Sequence, residues 1–350
     1  MGAGDSIDAD SRGGRATMRD VAARAGVGLS TVSRVVNGDV NVSAARTLAV
    51  EQAIAELGFR RNDSARHLRM GAASSIGLLL ESVSDPFFSL INQAVEEVAL
   101  VRDSLLLSAS SHQDAERAKK MVLAFCARRV DGLIITPSEP QEIDYLRAEL
   151  RAGVRMVFID RPVPGLDDDD SVATDTVLTD NAGGARTGVE HLIAHGHRRI
   201  ACFTDRADLF TSHHRILGYR LALEAAGIPF DPALVFSADD VAENFAGPLA
   251  AMLAMAQPPT AIFTGNNRST VAVLRQLVGR PDRPAIVGFD DFELADAMTP
   301  GVTVVAQDPL AMGRTAAELL FRRLGGEAGP TQTITLGTTL IRRGSGEQRP

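Results

Sequence analysis

Several residue types are scarce in this chain, and their scarcity limits what the protein can be. The 350 residues include no tryptophan, two tyrosines and two cysteines, Cys126 and Cys202, so a disulfide framework is excluded. No stretch approaches the roughly 18 consecutive apolar residues that a membrane-spanning helix needs. The acidic start MGAGDSIDAD lacks the charged-then-apolar order of a signal peptide. These absences predict a cytoplasmic protein without a membrane partner.

Motifs for catalysis are also missing. There is no nucleophile motif, phosphate-binding Walker loop or dinucleotide-binding fingerprint. His191, His195 and His197 have a spacing that resembles a metal site, but we expect structural roles for them. The acidic run 167–170 is expected to be a solvated loop, with a calcium site as the alternative. The sequence therefore predicts no catalytic residue, no metal site and no cofactor.

The charge of the chain is unevenly distributed. The net charge of −8 argues, taken alone, against a nucleic-acid partner. However, residues 15–70 contain nine arginines and five carboxylates and so carry +4, whereas residues 1–14 carry −2 and residues 71–350 carry −10. Clustered arginines neutralise phosphates and release their counterions. This pattern predicts a small basic module that precedes a large acidic body.

The basic segment has the pattern of three short helices. Thr17 followed by Asp20 resembles a capping box, which predicts that a helix begins there. A second helix is expected over about 29–37 after a glycine-containing turn, and Ser43 is expected to cap a third over 44–57. Their predicted inner faces consist of Val21, Ala22, Ala25, Val32, Val35, Val36, Val50, Ile54 and Leu57. Two short helices joined in this way form a helix-turn-helix, whose second helix can enter the major groove of DNA.

The acidic body alternates strand-like runs with amphipathic helical stretches, which predicts parallel sheets. The strand candidates are 76–80, 105–108, 132–136, 156–160, 200–204, 261–264 and 285–289. A segment of this length predicts two lobes. Because open parallel sheets bind ligands beyond the carboxyl ends of their strands, a ligand site is expected between them. The predicted fold class is a small all-α helix-turn-helix headpiece followed by a two-lobed α/β domain.

Two sets of motifs resemble the lactose-repressor (LacI/GalR) family. The basic segment contains MRDVAARAGVGLSTVSRVVNG and VSAARTLAVEQAIAELGFRRNDSARHLR, as in the headpiece and hinge of that family. The body contains IGLLLESVSDPFF, VDGLIITP, TDNAGGARTGVEHLIAHGHRRIA, RILGYRLALEAAGI and IVGFDD, as in its effector domain. That domain is similar to periplasmic sugar-binding proteins, so the resemblance implies a periplasmic-binding-protein-like effector domain.

The resemblance also implies domain boundaries. The expected segments are a disordered extension at 1–15, the headpiece at 16–62, a hinge helix or linker at 63–72, and a ligand-binding and dimerisation domain at 73–345. Lobe 1 is expected at about 73–178 and 307–330, and lobe 2 at about 179–305 and 331–345. The chain should therefore cross between the lobes three times, near 178–181, 304–308 and 328–333.

A set of DNA contacts follows from the resemblance by position. The residues expected to face base edges are Leu29, Ser30 and Arg34, and those expected to contact phosphates are Thr31, Ser33 and Asn37. Leu68 would wedge into the minor groove at the operator centre with Arg66 beside it, and a domain-interface position is the alternative for Leu68. The departures from the family pattern are Gly28 in place of a polar cap, the inverted pair Arg46-Thr47, and Arg61 where proline is common.

For the cleft, the resemblance implies an effector site. Its residues would be Phe87, Asp160, Arg215, Asn266 and Asp290, with Gln307 near a crossover. Arginine and carboxylates suit sugar hydroxyls because charge-assisted hydrogen bonds are strong. For Asp290 and for Asp160, a hydrogen bond between the lobes without ligand is the alternative. The family's Asn-Asp pair is Asn266-Asn267 here, so one carboxylate is lost. In the absence of tryptophan, the candidates for an aromatic platform are Phe245, Phe87, Phe88 and Phe210.

The function implied by the resemblance is that of a sequence-specific DNA-binding regulator, a repressor, whose operator affinity is controlled by a small ligand. The expected ligand is a sugar or sugar derivative, and the expected assembly is a homodimer on a pseudo-palindromic operator. The tail after Thr339 lacks the apolar heptads of tetramerising relatives. A transport component and an enzyme are the alternatives. The first predicts a signal peptide and no basic headpiece, and the second predicts a catalytic constellation in the cleft.

Overall fold

The computed structural model describes most of the chain, which divides into two compact units, Met1–Gly71 and Ala72–Pro350. The described residues are 16–36, 39, 41–59, 75–139, 143–166, 174–238, 245–280, 282–327 and 329–350. The predicted contacts Asn37, Arg66 and Leu68, the acidic run 167–170 and the expected hinge at 63–72 lie outside them. In the described ranges, no helix combines the length and the apolar character needed to cross a membrane.

The first unit contains helices α1 (Met18–Ala25), α2 (Leu29–Val36) and α3 (Ala44–Leu57) in its described part. The predicted capping box is confirmed, since the Asp20 N–H donates to Thr17 Oγ1 at 3.3 Å and the Thr17 N–H donates to Asp20 Oδ2 at 2.7 Å. Ser43 occupies the N-cap position of α3 as expected, but its hydroxyl accepts no capping hydrogen bond from the backbone of the first turn. The start of α3 therefore does not depend on that hydroxyl.

The core of the first unit is small and aliphatic. Its buried members are Val21, Ala22, Val32, Val50 and Ala53, and Ala25, Val35, Val36 and Ile54 pack against them. Leu57, which was expected on the inner face, is exposed at the last turn of α3. The apolar spacing thus predicted the helix faces correctly except at this terminal position.

The second unit contains two six-stranded sheets, so the predicted two-lobed α/β fold is confirmed for the described residues. Lobe 1 consists of β1 (Ser75–Leu80), α4 (Pro86–Val101), β2 (Leu105–Ser110), α5 (Ala115–Ala127), β3 (Gly132–Ile135), α6 (Asp144–Arg151), β4 (Arg155–Ile159), β5 (Asp175–Thr179), α11 (Pro309–Leu324) and β11 (Thr333–Leu336). Its strand order is β11-β5-β4-β3-β1-β2, with every pair parallel.

Lobe 2 repeats this arrangement. It consists of α7 (Asn181–Ala194), β6 (Ile200–Thr204), α8 (Phe210–Ala225), β7 (Val235–Ser237), α9 (Ala246–Leu253), β8 (Ala261–Thr264), α10 (Asn267–Leu277), β9 (Ala285–Phe289), β10 (Thr303–Ala306) and β12 (Thr339–Ile341). Its strand order is β12-β10-β9-β8-β6-β7, in which β12 is antiparallel to β10 and the other pairs are parallel. The central strands are buried along their length, as expected for parallel strands covered by helices on both faces.

The chain changes lobe at Asp180, again at 307–308, and a third time at 337–338. The third crossover lies later than the expected 328–333, because Thr333–Leu336 pair with β5 and so belong to lobe 1 rather than lobe 2. The Asp175 carboxylate fixes this register. It accepts two hydrogen bonds from Arg323 at 2.7 and 2.8 Å, and one from the Gln332 N–H at 2.9 Å.

Candidate functional site

Acidic side chains follow four strands of the second unit at their carboxyl ends. They are Glu81 after β1, Asp160 after β4, Asp205 after β6 and Asp290 after β9. Asp160 and Asp290 have φ angles of 67° and 68°, in the left-handed region that few non-glycine residues adopt. Such backbone strain is typical of functional sites, where the surrounding structure holds a side chain in place.

In lobe 1, Arg161 joins the loops after three strands. Its Nη2 donates to Glu81 Oε2 at 2.6 Å, its Nη1 donates to the Pro137 carbonyl at 3.3 Å, and its Nε lies 3.2 Å from Asp160 Oδ2. The guanidinium is buried, with 4% of the residue exposed. A buried charge of this kind is tolerable only with such partners. Arg161 therefore holds the lobe 1 wall of the cleft in one arrangement.

In lobe 2, Arg215 on α8 has a comparable role. Its Nε donates to Asn181 Oδ1 at 2.8 Å, its Nη1 donates to the Gly265 carbonyl at 2.5 Å, and the same nitrogen lies 3.7 Å from Asp290 Oδ2. The guanidinium carbon lies 3.9 Å from the centre of the Phe289 ring, in cation–π geometry. Each lobe thus contains one buried arginine that fixes the loops at its strand ends.

The carboxylates of the two walls are buried. Burial raises the pKa of Asp160, against the opposing effect of Arg161 and Arg215. Burial likewise raises the pKa of Asp290, which is opposed by Arg215 and by a hydrogen bond at 2.6 Å from Gln307 Nε2. The Thr179 hydroxyl in turn donates to Gln307 Oε1. This chain of bonds links the Asp290 carboxylate to two crossover segments.

Hydrogen bonds between described residues join the lobes directly across the cleft. Asn267 Nδ2 donates to Asp85 Oδ1 at 3.0 Å, and the Phe210 N–H donates to Glu139 Oε2 at 2.9 Å. Asp85 also caps α4, because its carboxylate accepts from the Phe87 N–H at 3.0 Å. The amide at position 267 is therefore matched to a carboxylate on the opposite lobe.

Two adjoining cavities lie between the lobes. The outer one has a volume of about 610 Å³, which is within the range of small-molecule pockets. The inner one is smaller, with a volume of about 40 Å³. Both are lined by Glu81, Asp85, Asp205 and Arg268, so they form one cleft.

The structure brings the five residues predicted for the effector site together. Phe87, Asp160, Arg215, Asn266 and Asp290 line the inner cavity, and Gln307 lines it with them. Sequence reasoning missed Arg161 and Asp205 as cavity-lining residues. The available signal was their position within two residues of the end of a buried strand, but that position alone does not show what surrounds them.

Of the candidate aromatic platforms, Phe245 is excluded by its position. It is buried in the core of lobe 2, with its ring centre 5.2 Å from that of Phe203. Phe87 and Phe88 line the inner cavity, whereas Phe210 packs against His214 at 4.1 Å between ring centres. The aromatic surface of the cavity therefore comes from the start of α4.

Of the three histidines with metal-like spacing, His191 and His197 tie lobe 2 to the segment after β12, and His195 contacts His191. His191 Nε2 lies 2.7 Å from Glu347 Oε1, and His197 Nε2 donates to the Gln348 carbonyl at 2.8 Å. The His195 ring lies 4.5 Å from that of His191. Among the described residues there is no group of three or more side chains that could hold a metal ion. These contacts are structural.

In the first unit, α2 presents the residues predicted to contact DNA. Leu29, Ser30 and Arg34 are exposed, and Thr31 and Ser33 are partly exposed. The opposite face of α2 is anchored by Val32, which is fully buried. The second helix of the helix-turn-helix therefore offers a polar outer face with one arginine, as major-groove recognition requires.

Two family models match the chain. A model described as "Bacterial regulatory proteins, lacI family" matches residues 17–62, and one described as "Periplasmic binding protein-like domain" matches residues 189–346. The ribose operon repressor of Escherichia coli (strain K12) is 32% identical over 94% of this chain and 99% of its own length. The transcriptional regulator CelR of Thermobifida fusca is 33% identical over 95% of this chain and 98% of its own length.

Solved structures agree with these matches. A Lac repressor dimer bound to operator and an anti-inducer has a TM-score of 0.79 and 27% identity, covering 95% of this chain and 99% of that one. A complex of CelR with cellobiose has a TM-score of 0.69 and 31% identity, covering 95% of this chain and all of that one. The chain therefore belongs to the lacI family of bacterial regulatory proteins, with a helix-turn-helix DNA-binding headpiece and a periplasmic-binding-protein-like effector domain.

Proposed function

We propose that this repressor binds a sugar or sugar derivative between its two lobes and that the ligand controls its affinity for operator DNA. The observation that supports this most directly is the convergence of Asp160, Arg215, Asn266 and Asp290 on one cavity. Carboxylates and a guanidinium form charge-assisted hydrogen bonds with hydroxyl groups. The relatives named for ribose and the relative solved with cellobiose support the same ligand class.

On the DNA side, we propose that Leu29, Ser30 and Arg34 contact base edges, while Thr31 and Ser33 contact phosphates. The exposure of these residues on α2 supports the assignment. For Asn37, Arg66 and Leu68, the proposed roles rest on sequence position. We propose a binding role for the groups in the cleft and no catalytic reaction. A protein that acts on bacterial operator DNA is expected in the cytoplasm.

The proposed assembly is a homodimer that places two headpieces on a pseudo-palindromic site. A patch of exposed apolar residues supports self-association of the effector domain. Leu100 and Val101 at the end of α4 and Leu105 at the start of β2 are 73%, 82% and 63% exposed. Contiguous exposed apolar surface of this kind is typical of protein interfaces. Sedimentation velocity is expected to show a dimer.

The test begins with an operator selected from random-sequence DNA by the full-length protein. Thermal-shift screening against D-ribose, cellobiose and other sugars would then identify ligands, and fluorescence anisotropy would measure operator affinity with each. We expect a pseudo-palindromic operator and at least one sugar that both raises Tm and changes operator affinity. Linkage requires that operator change the affinity for that sugar by the same factor. A panel without any such sugar would contradict the proposal.

A further inference from the structure

Asp205 is a buried carboxylate that the five predicted effector residues do not include. It follows β6 directly and lines both the inner and the outer cavity. Its Oδ2 accepts a hydrogen bond from Asn266 Nδ2. Its Oδ1 is buried and has no hydrogen-bond partner in the part of the chain that the structure describes. A buried carboxylate oxygen without a donor is costly, so this atom is suited to a donor supplied from outside the protein.

The charge around Asp205 favours such a donor over an anion. The carboxylates that line the inner cavity are Glu81, Asp85, Asp160, Asp205 and Asp290, and the guanidinium groups that line it are those of Arg161, Arg215 and Arg268. Two of these guanidinium groups already contact carboxylates, since Arg161 contacts Glu81 and Asp160, and Arg215 contacts Asp290. An anionic ligand would therefore meet an excess of negative charge.

We infer that Asp205 is an effector-binding residue whose Oδ1 accepts a hydrogen bond from a ligand hydroxyl, and that it selects neutral ligands over anionic ones. The inference rests on the proposed function, because it specifies the ligand of the same cleft. The inner cavity shares lining residues with the larger outer one, so the ligand reaches it through the outer cavity. Asp205 lies where the inner and outer cavities meet, and it is therefore reached early in entry.

The protonation state of Asp205 gives the inference a second signature. Burial raises the pKa of Asp205 to about 6, with Glu81 adding to the effect and Arg268 and Arg215 opposing it. A ligand donor bonds to the ionised form, so affinity is expected to be full above pH 7 and to fall as the pH drops through 6. Asp160 and Asp290 also have raised pKa values, so they too affect how ligand affinity changes with pH. The effect of Asp205 alone is obtained by comparing the pH dependence of affinity in wild type with that in an Asp205 variant.

Asp205→Asn and Asp205→Ala test this in the full-length protein, with Asp208→Asn as the matched control. Asp208 lies on the same loop, but it is exposed and bonded to Arg206 at 2.6 Å. Titration calorimetry would use D-ribose and cellobiose as neutral probes, and D-ribose 5-phosphate and D-glucuronate as anionic ones. We expect a neutral probe to bind wild type and Asp208→Asn equally. Both Asp205 variants should bind it about ten- to hundredfold more weakly, the usual effect of losing a charge-assisted bond.

Melting of the ligand-free protein separates binding from a structural role. Asp205 Oδ1 is buried and has no donor among the described residues, so Asp205→Asn should leave Tm unchanged or raise it. Residues kept for function often lower the stability of a protein, and replacing them can therefore stabilise it. A lowered Tm with unchanged affinity would make Asp205 structural and overturn the inference. Between pH 5 and 7, ligand affinity should also change less with pH in Asp205→Asn than in wild type. An equal change in both proteins would count against the inference.

The remaining outcomes distinguish this inference from the proposed function. If an anionic probe binds wild type more tightly than the neutral ones and changes operator affinity, ligand control stands and the assignment of Asp205 fails. If a neutral sugar binds wild type and both Asp205 variants equally, the same conclusion follows. If none of the probes binds wild type or alters operator affinity, the proposed sugar-controlled function fails and this inference fails with it.

Discussion

Replacing Asn267 with aspartate should open the effector cleft. Asn267 Nδ2 donates to Asp85 Oδ1 across the two lobes at 3.0 Å, and Asn267 is buried. In Asn267→Asp, the donor becomes a second carboxylate at the same distance from the first. The resemblance to the family marked this position as one where an aspartate is usual, so the asparagine is a property of this chain that the structure explains.

The magnitude follows from that distance. Two unit charges 3 Å apart repel by about 1.4 kcal/mol at the dielectric constant of water and by about 5.5 kcal/mol at an effective value of 20. Asp85 is partly exposed, which screens the repulsion and places the cost near the lower end. The lost hydrogen bond adds to it. A destabilisation of the closed cleft by about 2 kcal/mol would weaken ligand binding by roughly thirtyfold, because ligand binds the closed form.

The assay pairs titration calorimetry with X-ray scattering of the ligand-free protein, in which Asn267→Asp should show a larger radius of gyration. Asp85→Asn supplies the control, because asparagine caps a helix as well as aspartate does and so preserves the start of α4. The double variant removes the repulsion between the two carboxylates and should recover part of the lost affinity, although the Oδ1 of residue 85 that faces position 267 also caps α4. The reasoning is refuted if Asn267→Asp binds ligand as tightly as wild type, or if the double variant binds no better than Asn267→Asp alone.

Three further substitutions test other parts of the molecule. Arg34→Ala should weaken binding to the selected operator by about 1–3 kcal/mol and spare non-specific binding, as measured by anisotropy; a uniform loss would indicate a phosphate contact. Arg215→Ala removes the guanidinium group that contacts Asp290. The sugar should then no longer change operator affinity, although the variant should still bind the operator. A normal response to the sugar would refute the placement of the pocket. Burial lowers the pKa of His197, so the unfolded state takes up the proton first and stability falls as the pH drops below about 6.5. His197→Gln should therefore flatten the decline of Tm between pH 7 and 5, and an unchanged decline would contradict this.

Sequence reasoning succeeded where local chemistry determines structure. The capping box at Thr17 and the buried strand before Asp160 are short-range patterns, and both are present in the structure. The strand β5 was not among the candidates, and its first residue is the charged Asp175. That carboxylate is fully buried and is neutralised by Arg323, which lies 148 residues away in sequence. A long-range pair of this kind has no local signature, and the error in the third crossover has the same cause.

The cleft residues divide in the same way. Asp160, Arg215 and Asp290 could be predicted by position from the resemblance. The two aspartates follow strands that the sequence pattern indicates, and Arg215 lies within a helix. Arg161 and Asp205 could not, because their importance arises from what surrounds them. Arg161 contacts loops after three different strands, and the unpaired Oδ1 of Asp205 is visible only once the neighbouring atoms are placed.

The distribution of bonds in the effector domain indicates where its control resides. Within each lobe, one buried arginine contacts three neighbouring groups, and breaking such a network leaves an unpaired buried charge at a cost of about 3–5 kcal/mol. The direct bonds described between the lobes, from Asn267 and from the Phe210 N–H, are single hydrogen bonds worth about 1–3 kcal/mol each. The lobes are therefore expected to move as rigid bodies while the contacts between them exchange. A ligand shifts such an equilibrium only by its difference in affinity for the two forms. Because the cross-lobe bonds are this weak, a few hydrogen bonds from a sugar to both walls suffice to set the position of the lobes.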